Sequence, residues 1–133
     1  MDNEVADALR RFFEKDLHGA AAVYLFGSAA HGVLRHDSDI DVGVLLSQPP
    51  PSTLEGQPFD LEDELERALG RPVDVVVLNT APADLRARVL RRGRLVLERD
   101  RSARIRFEVR TRNEAFDLEP VLRRYRDPSG KAR

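Results

Sequence analysis

Two carboxylates one residue apart, Asp39 and Asp41, follow the Gly27-Ser28 pair after ten intervening residues. Both halves of that spacing suit phosphate chemistry. Gly27 ends the apolar run AAAVYLF and lets a ligand approach the backbone with no Cβ in the way. Ser28 adds a hydroxyl and an N–H at the start of a short predicted helix, where unpaired N–H groups favour phosphate. Asp39 and Asp41 flank Ile40 at the start of a second apolar run that reaches Leu46. Alternate side chains of a strand share a face, so the two carboxylates stand about 7 Å apart at their Cα atoms. Like charges that close are costly unless a cation neutralises them. The pattern describes a phosphate cradle beside a divalent-metal site.

Positioning these groups requires alternating elements. Val5, Leu9, Phe12, Phe13 and Leu17 form a helical stripe over 3–17, stopped at His18-Gly19. Strands are predicted at 20–26 and 39–46, with the short helix 28–34 between them. Residues 47–58 carry three consecutive prolines and read as a loop. A helix over 59–69 stops at Gly70, and 72–78 is a third strand. Pro82 opens a helix that ends at Arg92-Gly93, and 94–98 is a short strand. Asp100 caps a long helix to about Phe116, Pro120 is expected to break or restart it, and 127–133 should fray.

Strand three adds a candidate carboxylate. Val73, Val75 and Val77 point one way and Asp74, Val76 and Leu78 the other. A buried unpaired acid is very costly, so Asp74 makes sense on the face that carries Asp39 and Asp41. The fold class expected is α/β: a small mixed β-sheet with helices mainly on one face, the other open over the carboxylates.

Composition limits the alternatives. The 133 residues suit one modest core, and the absence of cysteine excludes disulfides and thiolate zinc sites and suits a reducing cytoplasm. The longest apolar run is too short for a membrane span, and the acidic, amphipathic N-terminus is unlike a signal peptide. Net charge is −1, so no direct nucleic-acid binding is expected from the whole molecule. Its distribution is uneven: eleven arginines lie between Arg86 and Arg112, and five acids between Asp60 and Glu66. The arginine segment reads as a solvated helix face or a surface for a protein partner. A protein partner is favoured over RNA there, because aromatics are sparse. His31 and His36 read as surface polar residues rather than metal ligands.

The combination GS-x10-DxD, carried by Gly27, Ser28, Gly32, Ser38, Asp39 and Asp41 with Asp74 as third acid, resembles the DNA polymerase β-like nucleotidyltransferase superfamily. In a chain of this size it looks like the minimal nucleotidyltransferase (MNT) branch, the antitoxins of HEPN/MNT toxin–antitoxin pairs. The resemblance implies a nucleotidyltransferase domain over 1–118 and a partly disordered C-terminal extension over 119–133. It implies two Mg²⁺ ions held by Asp39, Asp41 and Asp74, with Asp74 also taking the acceptor proton and Gly27-Ser28 gripping the β/γ-phosphates of ATP. The implied acceptor is a tyrosine of a cognate HEPN ribonuclease toxin, which receives AMP in the cytoplasm. Many MNT members carry arginines where this chain has Ala29 and His31, and Arg35 is the nearest replacement. Two other readings stand beside this one: a binding-only antitoxin that masks the toxin, and a small-molecule nucleotidyltransferase working as a dimer.

Overall fold

The computed structural model describes residues 2–27, 39–48 and 59–126, with side chains described over 4–27, 39–48 and 60–115. Four helices and four strands follow one another as α1 (Asp2–Lys15), β1 (Ala20–Phe26), β2 (Ile40–Leu46), α2 (Phe59–Leu69), β3 (Val73–Val77), α3 (Ala83–Arg92), β4 (Arg94–Glu98) and α4 (Arg101–Arg126). The predicted helix 28–34 and most of the proline loop lie outside the described residues.

The strands form one mixed sheet in the order β3-β2-β1-β4. β1 is antiparallel to both neighbours, and β2 is parallel to β3. All seven residues of β1 are buried, because a strand covered on both faces must be apolar throughout. On one face Ala6, Leu9 and Phe13 of α1 and Leu65 of α2 pack on Val23, Leu25, Val42, Val44, Val73 and Val75. On the other, Val89 of α3 and Phe107 of α4 pack with Tyr24, Phe26, Leu45 and Leu78. The expected distribution of helices is thereby refined: α1 and α2 cover one face, and α3 and α4 cover the β1 region of the other.

Side chains close the sheet's outer edges. The N–H groups of Val73 and Val75 on β3 donate to Glu66 Oε2 (3.0 Å) and Glu62 Oε2 (2.8 Å) of α2. On β4, Arg10 Nε of α1 donates to the Val96 carbonyl at 3.2 Å. An unpaired edge invites another chain, and both capping helices remove part of that invitation. Past β3, Asn79 replaces a strand residue, accepting from Leu46 N–H at 2.8 Å and donating to Leu46 O at 3.0 Å.

α4 begins where expected, with Asp100 Oδ1 accepting the Ala103 N–H at 3.1 Å as an N-cap. It then continues through Pro120 to Arg126, where a break was expected. A proline removes its own N–H bond and crowds the carbonyl four residues back, a local penalty that the hydrogen bonds of the flanking turns outweigh here. α4 is tied to the sheet by polar contacts as well as by Phe107. Tyr24 donates its hydroxyl to Glu108 Oε2 at 2.8 Å, and Arg104 donates to Glu108 (2.9 Å) and Glu98 (2.8 Å).

Candidate active site

Register brings the three carboxylates together. In the parallel ladder Asp41 is the direct partner of Asp74, and on its other side Asp41 stands opposite Phe26. Ile40 and Val42 enter the α1/α2 core, so Asp41 between them projects from the opposite face, the face of Gly43 and Leu45. Val73 and Val75 likewise enter that core and leave exposed Asp74 beside Asp41. Asp39, exposed and one residue ahead of β2, falls on the same side by alternation.

Gly27 fits against this group for two separate reasons. Its φ is +73°, a left-handed conformation that L side chains rarely adopt. A Cβ at Gly27 would also collide with Asp41 Oδ2. The end of β1 therefore lies directly against the central carboxylate. Ser28, His31, Arg35 and His36 lie outside the described residues.

Electrostatics give the site its tension. Asp41 is half-buried, and burial first, then the charges of Asp74 and Asp39, push its carboxyl above the usual aspartate range. A divalent cation would remove that repulsion. Among the described residues no group of three or more His, Cys, Asp or Glu is placed to hold a metal ion without further ligands from substrate or water. The three aspartates form an open corner, Asp39 and Asp41 following one another toward and along β2 and Asp74 beside Asp41 on β3. That suits Mg²⁺, which is commonly bound through one or two carboxylates while waters and substrate phosphates fill its other positions. By donor chemistry and by charge, Asp39, Asp41 and Asp74 fit such an ion.

Some contributors were not apparent in the sequence. Gly43, two residues after Asp41, accepts Leu78 against its α-carbon; an added Cβ would lie 3.3 Å from Leu78 Cδ1. A glycine inside a strand is the signal for such close packing. The arginine segment also separates into two kinds of residue. Arg86 pairs with Glu114 and Arg104 with Glu98 and Glu108, whereas Arg88, Arg91 and Arg92 of α3 are exposed.

The model of the family "Polymerase beta, Nucleotidyltransferase" matches residues 8–102. The chain belongs to this nucleotidyltransferase family. The matched span takes in β1, β2 and β3 and with them Gly27, Asp39, Asp41 and Asp74. Among solved structures, the nucleotidyltransferase resembles a toxin–antitoxin structure with AMP-PNP, with a TM-score of 0.73, 24% identity, and 90% of this chain and 92% of that chain covered. It also resembles the structure of a tri-AMPylated Shewanella oneidensis HEPN toxin in complex with MNT antitoxin, with a TM-score of 0.69, 22% identity, and 94% and 93% covered. At these identities the likeness is one of fold. A structure described as a minimal nucleotidyltransferase is 34% identical over 69% of this chain and 89% of that one, with a TM-score of 0.54. No curated protein matches the nucleotidyltransferase.

Proposed function

We propose that this nucleotidyltransferase is the antitoxin of a HEPN/MNT pair and transfers AMP from ATP to a tyrosine of a cognate HEPN ribonuclease toxin, neutralising it. The observation that carries the catalytic part is the Asp41–Asp74 register with Gly27 folded against Asp41. The partner is supported by likeness to chains of toxin–antitoxin complexes, one containing AMP-PNP and another an AMPylated HEPN toxin.

Two Mg²⁺ ions, held by Asp39 and Asp41 with Asp74 on one of them, would neutralise the triphosphate and the charge developing at its α-phosphorus. The chain's own residues do the rest. Gly27 leaves room for the Asp41 carboxylate, and Gly27 and Ser28 would grip the β/γ-phosphates through their N–H groups and the Ser28 hydroxyl. Asp74, on the edge strand β3, accepts the proton of the tyrosine hydroxyl as its oxygen bonds to the α-phosphorus. The bond from the α-phosphorus to the bridging oxygen breaks, and pyrophosphate leaves with the electron pair. A tyrosine hydroxyl has an unperturbed pKa of about 10, so a carboxylate beside it is a sufficient base.

Co-expression with the toxin gene and mass spectrometry of the toxin test this function. Adenylate mass on a tyrosine, absent with Asp39→Asn/Asp41→Asn, is the expected result. Equal neutralisation by that variant with no added mass would establish the binding-only antitoxin instead. Transfer to a small molecule and not to the toxin would establish the third reading.

A further inference from the structure

We infer that the C-terminal end of α3, through Arg91 and Arg92, forms the leaving-group side of the nucleotide site, holding the β- and γ-phosphates and the pyrophosphate that departs. The inference rests on the nucleotidyltransferase reading above and extends it to residues outside the Gly-Ser and Asp-x-Asp segment.

Placement comes first. α3 lies on the face that carries the carboxylates, since Val89, Leu85 and Leu90 pack into the same layer as Tyr24, Phe26 and Leu45. It also ends at the carboxylate end of the sheet. Gly93 N–H closes the helix on Val89 O at 2.7 Å, and the Gly93 α-carbon packs so near Leu25 O that an added Cβ would lie 3.3 Å from it. Arg94 is then the ladder partner of Leu25, one residue from Phe26, which is the partner of Asp41. Across this end of the sheet the order is Asp74, Asp41, Phe26-Gly27 and the chain leaving α3. Two strand spacings separate Asp41 from that last position, about 10 Å. A triphosphate and an extended arginine together cover such a distance.

The direction of the reaction comes second. Phosphoryl transfer is in line, so the leaving oxygen departs opposite the attacking one. Asp74 lies on the edge strand β3, and the proposed function makes it the base beside the acceptor. With the α-phosphorus over Asp41, pyrophosphate is directed away from β3, over β1 and toward the end of α3. Negative charge builds up there as the bridging bond breaks, and Arg91 and Arg92 stand on that side.

The state of the arginines comes third. Arg86 and Arg104 are committed to internal carboxylates. Arg91 and Arg92 are exposed, with no hydrogen bond or ion pair to another described residue. Guanidinium groups bind phosphate oxygens through paired N–H donors.

Calorimetric titration of the full-length protein with Mg²⁺ and AMP-PNP, with Mg²⁺ and inorganic pyrophosphate, and with AMP tests the assignment. Arg91→Gln/Arg92→Gln should weaken AMP-PNP and pyrophosphate by about tenfold or more, in keeping with the strength of hydrogen bonds to charged groups. AMP binding and the thermal midpoint should be unchanged, and Arg91→Lys/Arg92→Lys should restore part of the loss. Wild-type pyrophosphate affinity in the Gln variant would overturn the assignment and leave the arginines as charges complementing a helix C-terminus. Equal weakening of AMP and pyrophosphate would also overturn it, as a general disturbance of the pocket. If the wild-type protein binds neither AMP-PNP nor pyrophosphate, the nucleotidyltransferase reading itself fails.

Discussion

Two polar clusters share one face of the sheet and follow opposite rules. Around Tyr24, every charge has a counter-charge. Glu108 receives the Tyr24 hydroxyl and Arg104 and lies near Arg112, while Arg104 also reaches Glu98. Burial works against the Glu108 charge, yet the hydrogen bonds from Tyr24 and Arg104 and the charges of Arg104 and Arg112 hold its carboxyl below the usual range. Burial, then Glu108, drives the Tyr24 hydroxyl far above the ordinary phenol range. Around Asp41 the signs do not balance. Three aspartates share a strand end, and the central one resists ionisation because of burial and its two neighbours. A matched cluster anchors α4, and an unmatched one leaves three like charges without a partner among the described residues. Like-charge contact of this kind inside a well-formed sheet is common at functional sites, although structural ion-pair networks perturb carboxylates too.

The largest effect that could break this comparison is on catalysis. Asp39→Asn with Asp41→Asn should reduce AMP transfer by more than about 10³-fold, since several transition-state contacts disappear together. The same variant should unfold at or above the wild-type temperature, because repulsion has been removed. A clear fall in thermal midpoint would place these aspartates in the structural class instead. Asp74→Asn should retain most nucleotide affinity while turnover falls by about 10²-fold or more. Wild-type turnover in that variant would make Asp74 an edge-strand acid with no part in proton transfer.

Gly27→Ala tests the geometry between the clusters. The substitution forces a left-handed non-glycine residue and a collision with Asp41, so denaturant unfolding should show a loss of about 1–3 kcal/mol. Transfer should fall with it as Asp41 is displaced. Full activity in Gly27→Ala would mean that the Gly27–Asp41 contact is incidental.

Glu108→Ala sharpens the other side. It leaves the Tyr24 hydroxyl unpartnered and strips Arg104 of one carboxylate, at a cost of about 1–3 kcal/mol with little effect on nucleotide binding. The pH dependence follows from the sign of the shift. A carboxyl whose pKa is lowered on folding stabilises the protein fully above its unfolded value, about 4.3, and progressively less as pH falls through the folded value. The stability gap between wild type and Glu108→Ala should be constant at neutral pH and narrow only below about pH 4. A gap unchanged down to pH 2 would show that Glu108 acts through packing rather than charge.

Much of the site was legible because its signals are local. The turn at Gly27, the shared face of Asp39 and Asp41 and the outward direction of Asp74 follow from strand alternation and from the conformational freedom of glycine. The Pro120 break was misread because a proline's local penalty does not by itself end a helix of 26 residues. The arginine segment looked uniform in sequence. Only packing distinguishes Arg86 and Arg104, which meet Glu114, Glu98 and Glu108, from the exposed Arg91 and Arg92.

The sequence by itself determined which residues are candidates for the chemistry and on which side of each strand they stand, because periodicity is a property of neighbouring residues. The tertiary structure decided which of them meet. That Asp74 aligns with Asp41, that Gly27 rests against the Asp41 carboxylate, and that α3 ends at the same edge all depend on register between strands distant in the chain. A slip of one residue in that pairing would turn Asp74 into the α1/α2 core, and the cost of burying its charge selects the register that builds the site.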